Sequence, residues 1–397
     1  MTIGVTSAVF LGALAAAVPE PPAAGDGDVI YDFLKRGELG GRVGAAFNMT
    51  WPREDDARDY GEAWGLVELE YETASLEGFQ AGVWALGVQK IWEQNKGDYD
   101  ALFLHELDLR ELYLSYGGDG SRVEAVAGRR GLFRAPSTDG DSHEGAQLHL
   151  VPLENLDFYG AAIHRWINND RTSFDDKGIT GWEDVGDLNR EAGSGFYTFG
   201  LNWSIPDNAS LLGYLNYQDD VMAVTGARGI LGFPLSDDWR IGCDGIYAYH
   251  WNLFPDSVAP GYEDVQELLV HASVSWREIC LGGGWYYLSD DRCDIIAGVF
   301  DSFDPMQDDD YYPLDELNDA DEFFFDLVVE LEPLRIETYY SFGRNHAHGV
   351  STREFDLWVF WNITTALELG GYYIWTDYDG GDIPDYQRAG SSLAINF

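Results

Sequence analysis

The stretch WRIGCDGIYAYHW, Trp239 to Trp251, alternates along its whole length. Its odd positions are Trp239, Ile241, Cys243, Gly245, Tyr247, Tyr249 and Trp251; its even positions are Arg240, Gly242, Asp244, Ile246, Ala248 and His250. Side chains on a strand alternate between two faces, so one face here is apolar and aromatic and the other mixed and charged. A tryptophan stands at each end of the apolar face. At about 3.3 Å per residue they lie roughly 40 Å apart. Tilted by about 45°, the strand rises about 28 Å, near the height of a membrane barrel's apolar band between its aromatic girdles. Strands of soluble folds average about 5–6 residues.

The pattern recurs. Tyr197, Phe199, Leu201, Trp203 and Ile205 alternate with Thr198, Gly200, Asn202 and Ser204. Phe323, Phe325, Leu327, Val329 and Leu331 alternate with Phe324, Asp326, Val328 and Glu330. Phe355, Leu357, Val359, Trp361 and Ile363 alternate with Asp356, Trp358, Phe360 and Asn362. Charge on the second face of long strands suits a wet lumen better than a packed core. About eighteen such strands are expected (sixteen is the alternative), centred near 46, 67, 84, 112, 125, 148, 161, 200, 214, 227, 245, 271, 284, 327, 339, 360, 371 and 393. Those near 84, 161 and 227 have ambiguous faces. The fold class is all-β, an antiparallel up-and-down transmembrane barrel.

The connections carry the same message. Long ones (PREDDARDYGE, the stretch through EQNKGDYD, RGLFRAPSTDGDSHE, 170–193, FPDSVAPGYED, 289–321, GRNHAHGVSTRE, DYDGGDIPDYQ) alternate with short ones (TASLEG, GGDGS, PLEN, PDNA, PLSDD, REI, EPL, TTA); only QDD is a weak member of the long set. Long outer loops and short periplasmic turns are the habit of outer-membrane barrels. The chain ends SSLAINF, with Leu393, Ile395 and Phe397 on one phase. That last strand is expected to pair with the first, near GRVGAAFNMTW, so that no edge faces lipid.

Composition agrees. The chain has 397 residues, 46 Gly and 15% aromatics, a mixture suited to strands and turns. A net charge of −45 argues against a nucleic-acid partner, whose phosphates need Lys and Arg. Residues 1–24 read as a cleaved signal peptide, with an apolar run from Ala8 to Val18 and small residues at Ala15 to Ala17 and near Ala24, although no Lys or Arg precedes the run. Residues 25–36 form a short periplasmic lead, and 37–397 the barrel. Cys243, Cys280 and Cys293 are expected to be free thiols, with Cys243 and Cys280 on opposite faces.

Several stretches resemble the OprD-type outer-membrane porins, in particular their broader Opr branch. DFLKRGELGGRVGAAF is similar to that family's opening. LEYETASLEGFQAGVWA resembles its second hairpin. LRELYLSYGGDGSRVEAVAGRRGLFRAPSTDGDSHEGAQL resembles the stretch that leads into its third loop. The likeness is continuous over about the first 165 residues and topological beyond them. The resemblance implies an eighteen-stranded channel, monomeric or loosely trimeric, in which the third loop narrows the lumen. Arg130, Arg134, Asp139, Asp141, His143 and Glu144 then become constriction residues. The ending SSLAINF resembles the C-terminal aromatic signal of bacterial outer-membrane proteins, which implies Phe397 as an assembly signal read by the outer-membrane assembly machinery. One departure concerns charge: carboxylate-taking members line the pore with a basic ladder.

Here Arg42, Arg122, Arg130, Arg240, Arg335 and Arg388 fall on inward phases. So do Glu68, Glu70, Glu111, Glu124, Asp244, Glu267, Asp326, Glu337 and Asp356. They read equally as an ion-selecting field or as cross-strand ion pairs that hold the wall. Arginine is expected to be tolerated at the inward Thr198 and Asn362. The acidic segment 289–321 reads first as a solvated loop and second as a Ca2+ site, since it lacks EF-hand spacing; no cofactor is expected. His346 and His348 read as loop histidines. No G-x-S-x-G or H-E-x-x-H occurs, so no enzyme is expected. The sequence thus points to a passive channel for small hydrophilic solutes or ions, with modest cation preference. An alginate-export-like barrel and a plugged structural or adhesive barrel are the alternatives.

Overall fold

Every one of the eighteen expected centres falls inside a strand. The strands are β1 (Glu38–Pro52), β2 (Tyr60–Glu72), β3 (Phe79–Glu93), β4 (Leu107–Tyr116), β5 (Val123–Gly131), β6 (Ser142–Leu153), β7 (Leu156–Ile167), β8 (Glu183–Asp184), β9 (Phe196–Ile205), β10 (Ala209–Gln218), β11 (Met222–Pro234), β12 (Trp239–Asn252), β13 (Val265–Trp276), β14 (Ile279–Leu288), β15 (Ala320–Leu331), β16 (Leu334–Asn345), β17 (Val350–Asn362), β18 (Leu367–Asp379) and β19 (Tyr386–Asn396). This computed structural model describes residues 34–52, 59–94, 107–117, 122–131, 142–167, 183–184, 196–205, 208–218, 222–253, 264–289, 319–346, 349–380 and 385–397. The two-residue β8 is an addition to the expected set. It pairs only with the end of β7, within the segment expected to be a long loop.

The other eighteen strands form a closed antiparallel barrel in sequence order. Closure comes from β1 and β19, paired from Arg42↔Asn396 to Pro52↔Tyr386. Beyond that ladder, Gly41 and Phe397 exchange two backbone hydrogen bonds of 3.1 Å. No strand edge is left for lipid to solvate. Eighteen strands about 4.8 Å apart and tilted about 40° give a backbone diameter of roughly 35 Å.

At one end the strands join through short turns. In the first, Leu76 and Phe79 exchange backbone bonds of 2.8 and 2.9 Å around Glu77 and Gly78, both at positive φ. That two-residue form matches the right-handed twist of a hairpin. The opposite, loop end carries most of the long connections. Two of these are shorter than the sequence suggested. β16 runs to Asn345 and β17 starts at Val350, so most of GRNHAHGVSTRE is strand. Likewise β18 takes up the first three residues of DYDGGDIPDYQ and β19 the last two. Polar residues mislead here because the strands continue past the apolar belt, where polar side chains are well solvated.

The two faces separate as alternation requires. On β9, Tyr197, Phe199, Leu201, Trp203 and Ile205 are all exposed on the outer surface, while Thr198 between them is buried. On β12, Trp239, Ile241, Tyr247 and Trp251 point outward, and Ile246, Ala248 and His250 are buried inward. Aromatic rings gather at both rims. Trp239 and Trp276 meet at 6.1 Å near the turns; Tyr249 and Trp251 (5.0 Å) and Trp285 and Tyr287 (5.7 Å) meet near the loops. Beyond the loop-end rim, Arg353 and Asp377 pair on the outer surface at 3.1 Å. The apolar belt ends where such a pair is tolerated. Cys243 and Cys280 are free thiols on opposite faces; Cys293 lies outside the described residues.

Candidate functional site: the lumen wall

The inner wall is built from the even-numbered positions of most strands. On β2 these include Glu62, Glu68, Glu70 and Glu72; on β15, Glu322, Asp326 and Glu330; on β17, Glu354 and Asp356. The inward arginines mostly face carboxylates. Arg42 Nη2 donates to Glu68 Oε1 at 3.1 Å. Arg228 Nε donates to Asp244 Oδ2 at 3.0 Å, diagonally across directly paired strands, two residue pairs apart. Arg130 Nη1 lies 3.9 Å from Glu124 Oε1, with its guanidinium 4.3 Å above the Tyr113 ring. Arg335 is ion-paired with Glu337 and lies 3.7 Å from Glu330. Arg240 is the exception: it has no carboxylate partner among the described residues. It borders a cavity of about 500 Å³ with Ser210, Ser273, Ser275 and Gly242. Acids therefore exceed the bases that neutralise them.

Histidines of the wall also lie beside carboxylates. His250 Nε2 lies 3.0 Å from Glu267 Oε2, and both side chains are buried. His271 Nε2 lies 2.8 Å from Asp326 Oδ1. They meet over Gly282, where a Cβ would sit 2.3 Å from both groups. His149 lies 3.6 Å from Asp157.

A second feature is the seating of inward aromatic rings on glycines of the adjacent strand. Tyr113 lies against Gly82, Tyr159 against Gly200, Tyr214 against Gly226, Phe324 against Gly284 and Tyr372 against Gly390. In each pair a Cβ on the glycine would come within 2.4 Å of the ring. Each pair is also directly opposed in the ladder. The rings lie down along the wall instead of filling the lumen.

The wall is uneven along its height. Near the turns, the side chains of Glu330 and Arg335 are 65% and 54% exposed. Toward the loops, Thr198, Ser341, Glu354, Asp356 and Thr376 are wholly buried. Thr198 Oγ1 donates to Asn216 Oδ1 at 2.7 Å. An arginine at Thr198 has no water to reach, so the sequence-based tolerance there is corrected. Asn362, exposed beside a turn, keeps it.

Of the sequence-derived wall residues, Arg42, Glu68, Glu70, Glu111, Glu124, Arg130, Arg240, Asp244, Glu267, Asp326, Arg335, Glu337, Asp356 and Arg388 occupy inward positions in their strands, whereas Arg122 sits in the turn before β5. Of the third-loop residues, Arg130 belongs to β5, and His143 and Glu144 to β6. Glu144 falls on the outward phase, where Arg129 Nε donates to its Oε2 at 2.9 Å. Its neighbour His143 is buried on the inward phase. Arg134, Asp139 and Asp141 lie outside the described residues, as do His348 and nearly all of 289–321. His346 Nε2 approaches Asp321 Oδ2 at 2.6 Å. Among the described residues no group of three or more His, Cys, Asp or Glu is placed to hold a metal ion.

Sequence reasoning missed Arg228 and Arg110. Arg228 sits where Ile230 and Leu231 interrupt alternation; counting back from the Asp244 register would have found it. Arg110 is the extra residue at a β-bulge between β3 and β4 and is wholly buried. A bulge breaks period two, so no phase count reaches it.

Solved structures share this architecture. Pseudomonas aeruginosa OpdQ superimposes with a TM-score of 0.70 at 14% identity, covering 92% of this chain and 99% of its own. Acinetobacter baumannii OccAB3 gives 0.72 at 12%, covering 91% and 100%. Pseudomonas aeruginosa OccK8 (OprE) gives 0.72 at 12%, covering 92% and 99%. The fold is that of the OprD/Occ porins. No protein-family model matches the sequence, and no curated protein matches it significantly. The likeness read in the opening 165 residues is thus matched, as fold, over about nine-tenths of the chain.

Proposed function

We propose that the chain is a passive outer-membrane channel for small hydrophilic solutes or ions, with a modest preference for cations. The observation that carries this reading is a closed barrel with an apolar outer belt and an inner wall charged from end to end, in which carboxylates exceed arginines. Fixed charge in a narrow, low-dielectric passage concentrates counter-ions. The short-turn end faces the periplasm in this reading. Residues 1–24 serve as the cleaved signal peptide, 25–36 as a periplasmic lead, and Phe397 as the assembly signal. The segment between β5 and β6, bearing Arg134, Asp139 and Asp141, narrows the lumen beside Arg130 and His143. The protein works as a monomer or homotrimer.

The acidic wall disfavours the alginate-export reading, because a polyanion needs unpaired bases along its path and Arg42, Arg130, Arg228 and Arg335 are held by carboxylates. The test is single-channel recording in a planar bilayer. Discrete conductance steps support a channel; a silent, folded barrel supports a plugged structural role.

A further inference from the structure

The outer surface is not evenly bulky. Around most of the belt the outward positions carry Phe, Leu, Tyr or Trp. On three neighbouring strands they shrink to alanine. Ala127 on β5, Ala146 on β6 and Ala162 on β7 form one cross-strand row, all exposed on the outward phase. Leu114 on β4 and Tyr197 on β9 stand exposed at its two ends. The alanines are thus the floor of a trough with tall sides.

Toward the turns the trough deepens into an apolar groove of about 510 Å³, walled by Leu148, Leu150, Phe199 and Leu201 and floored by Gly160 and Gly213. A Cβ on Gly213 would meet nothing within 4 Å, so no packing inside the protein requires a glycine there. A glycine inside a strand costs stability and often marks a place that something approaches closely from outside. Toward the loops the trough ends on an ion pair. In the outward row above the alanines, Arg129 Nε donates to Glu144 Oε2 at 2.9 Å and Arg129 Nη1 to the Leu109 carbonyl at 3.4 Å.

Position determines what fills the trough. The groove faces the hydrocarbon layer, so its occupant is apolar there. From Glu144 to Leu150 is about 20 Å along β6, or about 15 Å in height at a tilt of about 40°. The hydrocarbon of one leaflet is also about 15 Å thick, half of about 30 Å. A chain lying in the groove therefore brings its head level with Arg129. A second barrel is convex and meets a convex wall along a line, so its surface stays above glycines recessed below Phe199 and Leu148. A single hydrocarbon chain reaches them, since neighbouring strands are about 4.8 Å apart. At the head, a guanidinium held in place by Glu144 suits phosphate.

We infer that this trough binds one phosphate-bearing membrane lipid of the loop-side leaflet, with an acyl chain over Ala162 and Gly160 and the phosphate at Arg129. The inference needs only a membrane barrel, and it stands whether or not the barrel conducts.

The experiment is native mass spectrometry of the purified, folded full-length barrel, titrated in detergent with dioleoylphosphatidylglycerol. Diolein has the chains without the phosphate, and glycerol phosphate the phosphate without the chains. One phosphatidylglycerol is expected to stay bound per barrel, about tenfold more tightly than either comparison ligand. Ala162→Leu, which fills the trough, and Arg129→Gln, which removes the charge, are each expected to weaken retention about tenfold. Glu144→Gln removes the competing carboxylate and is expected to keep or strengthen it. Gly229→Leu, at an open outward glycine outside the groove, is the control and is expected to change nothing. Ala146→Leu carries the test if Ala162→Leu fails to yield an SDS-resistant barrel. Several lipids held alike in every variant would reduce the trough to ordinary lipid contact and overturn the inference. Diolein held as tightly as phosphatidylglycerol would also overturn it, as would equal losses in Glu144→Gln and Arg129→Gln, which would make the ion pair merely structural.

Discussion

The ring of Tyr372 lies across Gly390 on the neighbouring strand, so close that a Cβ on Gly390 would sit 2.2 Å from the ring and 2.3 Å from Asn48 Oδ1. Gly390→Ala is therefore expected to displace Tyr372 and its stack with Trp358, at about 1–3 kcal/mol, the usual cost of overpacking. Gly213→Ala, where nothing lies within 4 Å, is the control and is expected to be neutral or slightly stabilising. Urea unfolding in lipid vesicles measures both; equal midpoints would show that the ring does not depend on the glycine.

Arginine at outward positions should impair assembly. Trp203, Tyr247 and Leu357 occupy the outer surface, and Leu357 lies near the middle of β17. Each replacement is expected to cost about 2–4 kcal/mol near the midplane and less toward the rims. Asn362→Arg, inward and exposed near a turn, should fold normally. Folded yield read by SDS resistance decides the matter; indistinguishable yields would mean the faces are assigned backwards.

These faces were legible because alternation is a property of the backbone. Tyr197 to Ile205 and Trp239 to Trp251 have unlike partners at every second position, so phase and height followed directly. The ambiguous strands near 84, 161 and 227 have a common cause. Their inner faces, or those of the strands beside them, carry Gly82 under Tyr113, Tyr159 over Gly200, and Gly226 under Tyr214. An aromatic ring seated on a glycine puts an apolar residue on the lumen side and a blank on its partner, which erases the contrast that period two relies on. The site was less legible than the fold. Alternation placed Asp244 inward, but only the register shows Arg228 holding it. Nothing in the sequence told that Thr198 is enclosed while Asn362 is open, because depth in the lumen depends on what packs from other strands.

The closing residue should matter for both energy and recognition. Phe397 makes the last two backbone bonds to Gly41, and its ring covers that glycine. Deleting Phe397 is expected to slow folding modestly in pure lipid and to lower outer-membrane levels much more in cells, where the proposed signal is read. Parallel kinetics in vesicles and pulse-chase in cells compare the two. Defects of the same size in both settings would reduce Phe397 to a structural residue.

Charge balance should respond to single pairs. Asp244→Asn removes one acid from the wall while keeping Arg228, and is expected to weaken cation preference. Arg130→Ala frees Glu124 and should strengthen it. Both shifts should shrink with added salt, since about 0.1 M already screens charges beyond roughly 10 Å. Reversal potentials at two ionic strengths read out the effect, and shifts of the same sign in both variants, or no shift in either, would mean the wall does not set selectivity.

The most direct test is the zero-current potential of single channels of the purified full-length protein across a salt gradient. The account predicts stepwise conductance with a cation-selective potential that grows as the salt is diluted. A folded barrel that never conducts, or one whose potential stays anion-selective at low salt, would contradict it.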